Sequence, residues 1–163
     1  MKKCIIPALI VLAMLSGCAA QETMETVSDV PAAPVVAPLR EISMALPEEA
    51  ASPTVESDSQ RLYLCEDYEI TVQILDGGDL NQTVKTLSGY DRDALTVLST
   101  RKDNLDCYEF VWACAGEEGE LVGRGMVLDD GYCHYCVSIL GEAEQAMENK
   151  VLWDDMFRSF TLV

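Results

Sequence analysis

The run DCYEFVWACAGEEGELVGRGMVLDDGYCHYCVSIL, Asp106 to Leu140, decides the fold. Its apolar residues come in three bursts separated by turn chemistry: Glu117-Glu118-Gly119-Glu120 before LVGRGMVL, and Asp129-Asp130-Gly131 before YCHYCVSIL. Alternation in the first burst sets Tyr108, Phe110, Trp112 and Cys114 on one face, the two-residue period of a strand with one buried side. Acidic, glycine-bearing turns of this kind join neighbouring antiparallel strands. The stretch therefore reads as a three-stranded meander.

Working outward toward the N-terminus, RLYLCEDYEITVQIL (Arg61 to Leu75) holds Tyr68, Ile70, Val72 and Ile74 on one face and reads as one strand or a pair. Asp76-Gly77-Gly78 breaks that pattern. Asp79 then caps a short helix over Leu80 to Ser88, with Gln82 at its third position, Leu80, Val84 and Leu87 along one stripe, and Gly89 as its stop. Leu95 to Arg101 is a further strand. Beyond the meander, a long helix is expected from about Glu142 to Arg158, acidic in its first turn as the helix dipole favours. Ala146, Met147, Trp153 and Phe157 are available on it to cover a sheet. Phe160 to Val163 is a last short strand that would dock at the sheet. The order predicts one α+β domain over 60–163, an antiparallel β-sheet with a short helix and a long C-terminal helix packed on it.

The other end of the chain has a different character. MKKCIIPALIVLAMLSGCAA begins with a basic pair, Lys2 and Lys3, continues through an apolar run from Ile5 to Leu15, and closes on small residues, the pattern of an export signal. Leu15-Ser16-Gly17-Cys18 resembles the lipobox of bacterial lipoproteins. That resemblance implies cleavage after Gly17, a thioether-linked diacylglycerol on Cys18, and a product held at the extracytoplasmic face of a cell membrane by its acyl chains, palmitate among them. Residues 1–17 are then the signal peptide. From Cys18 to Ser59 the expectation is a disordered tether: Pro31, Pro34, Pro38, Pro47 and Pro53 all fall there, Ala and Glu are abundant, and from Gln21 onward it has no aromatic residue and no glycine.

Charge narrows the partners. The chain carries a formal −17, and removal of Lys2 and Lys3 with the signal takes it to −19. A surface this acidic repels phosphate backbones and anionic headgroups, so nucleic acid is excluded as a partner and the lipid must do the anchoring.

Five cysteines remain beyond Cys18: Cys65, Cys107, Cys114, Cys133 and Cys136. An odd number leaves at least one thiol free or paired between chains, and the spacing selects no connectivity for disulfides. Cys133-His134-Tyr135-Cys136 is the most chemical-looking phrase, with the only histidine of the chain. On a strand, however, positions three apart lie roughly 10 Å apart on opposite faces, too far for a disulfide. No helix starts there to activate a thiolate, and a zinc site would need Cys65, Cys107 or Cys114 to supply its second ligand pair across the sheet. A Cys136–His134 pair, neighbours on one face, is the one nucleophile–base arrangement available. Asp91 with Asp93, Glu117 with Glu118 and Asp129 with Asp130 lie in expected turns, and none completes a calcium loop. No cofactor or metal is expected.

In the order of its elements the last hundred residues resemble the PsbP-like group of small envelope and thylakoid-lumen domains. Trp153-x-x-Met156-Phe157-x-Ser159-Phe160-x-Leu162 is similar to the helix-then-strand closure seen there. That resemblance implies a non-enzymatic accessory or binding domain with no shared catalytic residues to carry over; cystatin-like and other sheet-plus-helix lipoprotein domains fit the same order. The expectation is a membrane-anchored lipoprotein whose small domain is a non-catalytic binding module for an envelope protein or ligand. The competing reading is an envelope enzyme, thiol-dependent or metal-assisted, using Cys136 and His134.

Overall fold

The computed structural model describes residues 38–163 apart from Glu118. In chain order the elements are β1 (Ile42–Ser43), β2 (Val55–Glu56), β3 (Gln60–Leu64), β4 (Tyr68–Asp76), α1 (Leu80–Ser88), β5 (Val97–Lys102), β6 (Leu105–Ala115), β7 (Glu120–Asp129), β8 (Cys133–Glu142), α2 (Lys150–Ser159) and β9 (Thr161–Leu162). The main sheet has seven strands in the order β2-β3-β4-β8-β7-β6-β5, each neighbouring pair antiparallel. β6, β7 and β8 are the expected meander, and β5 extends it through a two-residue turn in which Asp103 and Asn104 both take positive φ. Such a turn matches the natural twist of a hairpin. Arg61 to Leu75 resolves into the pair β3 and β4, reversed at Cys65–Asp67.

β8 is central because it pairs along its whole length on both sides, with β4 from Asp76↔Cys133 to Tyr68↔Gly141 and with β7 from Asp129↔His134 to Leu121↔Glu142. A strand flanked and covered on both faces must be apolar or hydrogen-bonded at nearly every position, and His134 through Ile139 are all buried. Its odd residues, Tyr135, Val137 and Ile139, join Tyr63, Ile70, Val72 and Leu128 in a core closed by Trp153, Met156 and Phe157 of α2. Its even residue Cys136 belongs to a second core on the opposite face, with Phe110, Trp112, Val127 and Val84 of α1. The two helices thus sandwich the sheet. α1 has the expected bounds for the expected reasons: Asp79 accepts from the backbone N–H of Asn81 and Gln82, and Gly89 closes the helix in a left-handed conformation.

Three expectations are corrected. The C-terminal helix is not long: α2 has ten residues, and residues 143–149 form turns. Gly141 and Glu142 continue β8 instead, because Gly141 lets the Tyr68 side chain and the Trp153 ring pack against its bare Cα. The closing strand does not join the main sheet; β9 pairs with β1 in a separate two-stranded ribbon, Ile42↔Leu162 and Ser43↔Thr161. And the part of the expected tether from Leu39 to Ser59 lies on the domain, its earlier part falling outside the described residues. Ile42 and Ala50 are buried in the α2-side core, the Arg40 amide donates to the Tyr135 hydroxyl, and the Ala45 amide donates to Ser159 Oγ. A few small apolar residues suffice there because the partner strand comes from the far end of the chain.

α2 is pinned by charge as well as packing. Arg124 on β7 donates to Asp154 at 2.6 Å and to Glu109 at 3.2 Å, with its guanidinium 4.4 Å above the Phe157 ring. No helix among the described residues is long and apolar enough to cross a membrane.

Candidate functional site

The residues singled out by sequence are scattered. Cys18 lies outside the described residues. Cys65, Cys107, Cys114, Cys133 and Cys136 are all free thiols. Cys107 and Cys136 are buried in opposite cores, and Cys133 packs against the α2 side while Cys136 faces α1, the split expected for a strand. Burial raises the pKa of Cys65, Cys107, Cys133 and, most strongly, Cys136, which disfavours the thiolate needed for nucleophilic or metal chemistry. No group of three or more His, Cys, Asp or Glu side chains is placed to hold a metal ion among the described residues.

His134 is occupied. It is 1% exposed, its Nδ1 lies 2.7 Å from the Thr83 hydroxyl of α1, and its Nε2 lies 3.4 Å from Asp129 Oδ2 at the end of β7. With the proton on Nε2, facing the carboxylate, Nδ1 accepts from the threonine; this assignment follows from the partners. The Cys136 thiol points instead to the His134 backbone carbonyl, 3.5 Å away. Thr83, His134 and Asp129 therefore form a strut that ties the underside of α1 to the sheet, closed to any substrate. The pair Cys136 and His134 does not assemble a nucleophile and its base.

What the fold does build is a groove on the α1 face. α1 packs over the β6–β7–β8 part of that face and reaches Leu75 near the end of β4, with the rest of the β3–β4 hairpin beside it. Between them runs a groove of about 390 Å³, small-molecule scale. Its helix wall is Thr86, Leu87 and Ser88, its strand wall is Gln60, Glu69, Thr71 and Gln73, and its floor is Trp112, Cys114, Ser138 and Leu140. Register explains the grouping: Thr71 faces Ser138 across β4–β8, and Gln73 faces Gln60 across β3–β4. The alternation that buries Ile70, Val72 and Ile74 toward α2 sends Glu69, Thr71 and Gln73 into the groove.

Two glycines of β7 set the floor. A Cβ at Gly123 would lie no farther than 2.6 Å from three ring atoms of Trp112, and one at Gly125 would meet Phe110 at 2.8 and 2.9 Å. The rings from β6 thus lie flat across β7 where side chains are missing, a use of strand glycine that returns packing as it removes a Cβ. Gly123 pairs with Leu140, so the Trp112 ring spans β7 toward β8 and lines the groove. Ser138 is the odd member of the floor, a serine 8% exposed in a strand otherwise apolar at its centre.

Sequence reasoning missed this groove. Its available signals were the polar alternates of Tyr68 to Leu75 and the lone serine inside YCHYCVSIL. On the α2 side of the sheet, Leu98 and Val111 stand exposed beside Arg124, a smaller apolar surface.

No protein-family model matches the chain, and no curated protein matches it. Among solved structures, the chain is similar to the cyanobacterial PsbP protein CyanoP of Synechocystis sp. PCC 6803, at 18% identity and a TM-score of 0.48, over 76% of this chain and 82% of that one. The similarity is one of chain course, and it brings no residue of known role to this protein.

Proposed function

We propose that the chain is an exported lipoprotein, held by acylated Cys18 at the extracytoplasmic face of a cell membrane, and that its α+β domain is a non-catalytic binding module. The observation that supports binding is the groove beside α1, a concave site of small-molecule size whose hydrogen-bonding side chains, on strands and helix, are neutral apart from Glu69. Cys136 and His134, the pair an enzyme would need, are committed to packing, and burial favours the inert thiol of Cys136 over its thiolate. Anchoring is supported by the order basic start, apolar run, Leu-Ser-Gly-Cys. The acidic surface leaves a membrane lipid to reach through the acyl chains alone and disfavours nucleic acid.

The test has two arms. Cells expressing the full chain are labelled with palmitate and fractionated: the parent protein carries label and sediments with membranes, and Cys18→Ala loses both. Membrane retention of an unlabelled Cys18→Ala chain would refute the anchor. In the second arm, Cys136→Ala should preserve whatever phenotype the parent complements, whereas substitutions of Thr71 and Gln73 should abolish it; the reverse outcome would refute a non-catalytic module.

A further inference from the structure

We infer that the groove beside α1 takes a neutral, hydroxyl-rich ligand of small-saccharide type. This rests on the binding-module reading above and names its ligand class. The hydrogen-bonding side chains that line the groove are Gln60, Thr71, Gln73, Thr86, Ser88 and Ser138. Thr86 and Ser88 already donate to the Gln82 and Val84 carbonyls and so offer a ligand acceptors only; Thr71 and Ser138 offer hydroxyls, and each glutamine amide offers one group of each kind, so the natural complement is a ligand whose own groups both donate and accept. Sugar hydroxyls meet that demand; a carboxylate or phosphate ligand would find no lysine, arginine or histidine in the lining among the described residues, within a chain of formal charge −17. Among the described residues Glu69 is the only Asp or Glu side chain in the lining, too little to compensate a dehydrated cation.

Ser138 adds a hydroxyl to the floor of the groove, inside a strand that is otherwise apolar at its centre. It faces Thr71 across the strand pair, so two hydroxyls stand side by side on the floor. Trp112, Leu87 and Leu140 supply apolar surface for the C–H faces of a ring, and Gly123 lets the indole lie against the sheet.

The test is a ¹⁵N NMR titration of the unacylated mature chain with cellobiose, maltose and N,N′-diacetylchitobiose at millimolar concentration, with an arginine-containing tripeptide as a second ligand class. A saturable shift by at least one sugar is expected at the Trp112 indole N–H and at the amides of Thr71, Gln73 and Ser138. Ser138→Val should weaken that sugar about tenfold through one lost hydrogen bond, and Gln73→Ala, at a half-exposed site, should weaken it with the fold intact. If none of the three sugars shifts groove resonances, or if both variants bind as the parent does, the inference is overturned. If the tripeptide alone moves those resonances, the saccharide is wrong and the binding module stands; if neither class does, both readings fall.

Discussion

Replacing Gly123 by Ala tests the architecture of the groove floor at a single atom. The new Cβ would sit no farther than 2.6 Å from three ring atoms of Trp112, where carbon atoms rest at about 3.5–4.0 Å. The indole must therefore retreat by roughly an ångström, and it cannot do so by bending a flexible tip, because the obstructed atoms are in the fused ring. Overpacking of this kind costs about 1–3 kcal/mol, and the upper part of that range is expected here. That corresponds to a fall in Tm on the order of 10 °C for a domain of this size. Urea denaturation followed by far-UV circular dichroism measures the loss, and the near-UV spectrum reports the displaced indole. Gly119→Ala is the matched control, since a Cβ there meets nothing within 4 Å, and it should change stability by no more than about 0.5 kcal/mol. In a Trp112→Leu background the Gly123→Ala cost should largely vanish, because the clashing atoms are gone. An unchanged urea midpoint for Gly123→Ala, or a cost that persists without Trp112, would refute the reasoning.

Other perturbations probe the remaining joints. Thr83→Val keeps the shape of the side chain but leaves His134 Nδ1 buried without its partner; a loss of about 1–3 kcal/mol in urea denaturation is expected, with Thr83→Ser close to the parent. Hydrogen bonds from Lys150 and then Arg124 hold the Asp154 carboxyl below the usual carboxylate range. A depressed folded pKa means that the stabilisation is present above about pH 4 and is lost as pH falls through the folded value. The stability difference between the parent and Asp154→Asn should therefore be steady at neutral pH and shrink in acid; a difference independent of pH would contradict the ion pairs. Native alkylation near neutral pH should reach Cys65, Cys114 and Cys133 well before the buried Cys107 and Cys136. Unfolding without reductant should then expose all five, a count made by intact mass; a shortfall would reveal a disulfide.

Much of the tertiary arrangement was already written in local pattern. α1 begins and ends where Asp79 and Gly89 say it does because capping is chemistry between near neighbours. The meander and the two faces of β4 and β8 follow from a two-residue period that any strand obeys, which is also why Cys133 and Cys136 parted to opposite cores. The element order suffices for the α+β class. Tertiary structure decided what depends on residues far apart in sequence. Whether Glu142 starts a helix or ends a strand turned on Tyr68 and Leu121 waiting beside it, partners no local window contains. Ile42 docks because Leu162 lies opposite, and composition sees only a proline-rich stretch. His134 became a strut rather than a base when α1 laid Thr83 on it and β7 brought Asp129 to its other nitrogen. The groove exists because a nine-residue helix covers only part of a seven-stranded sheet, leaving Thr71, Gln73 and Ser138 side by side on the uncovered face.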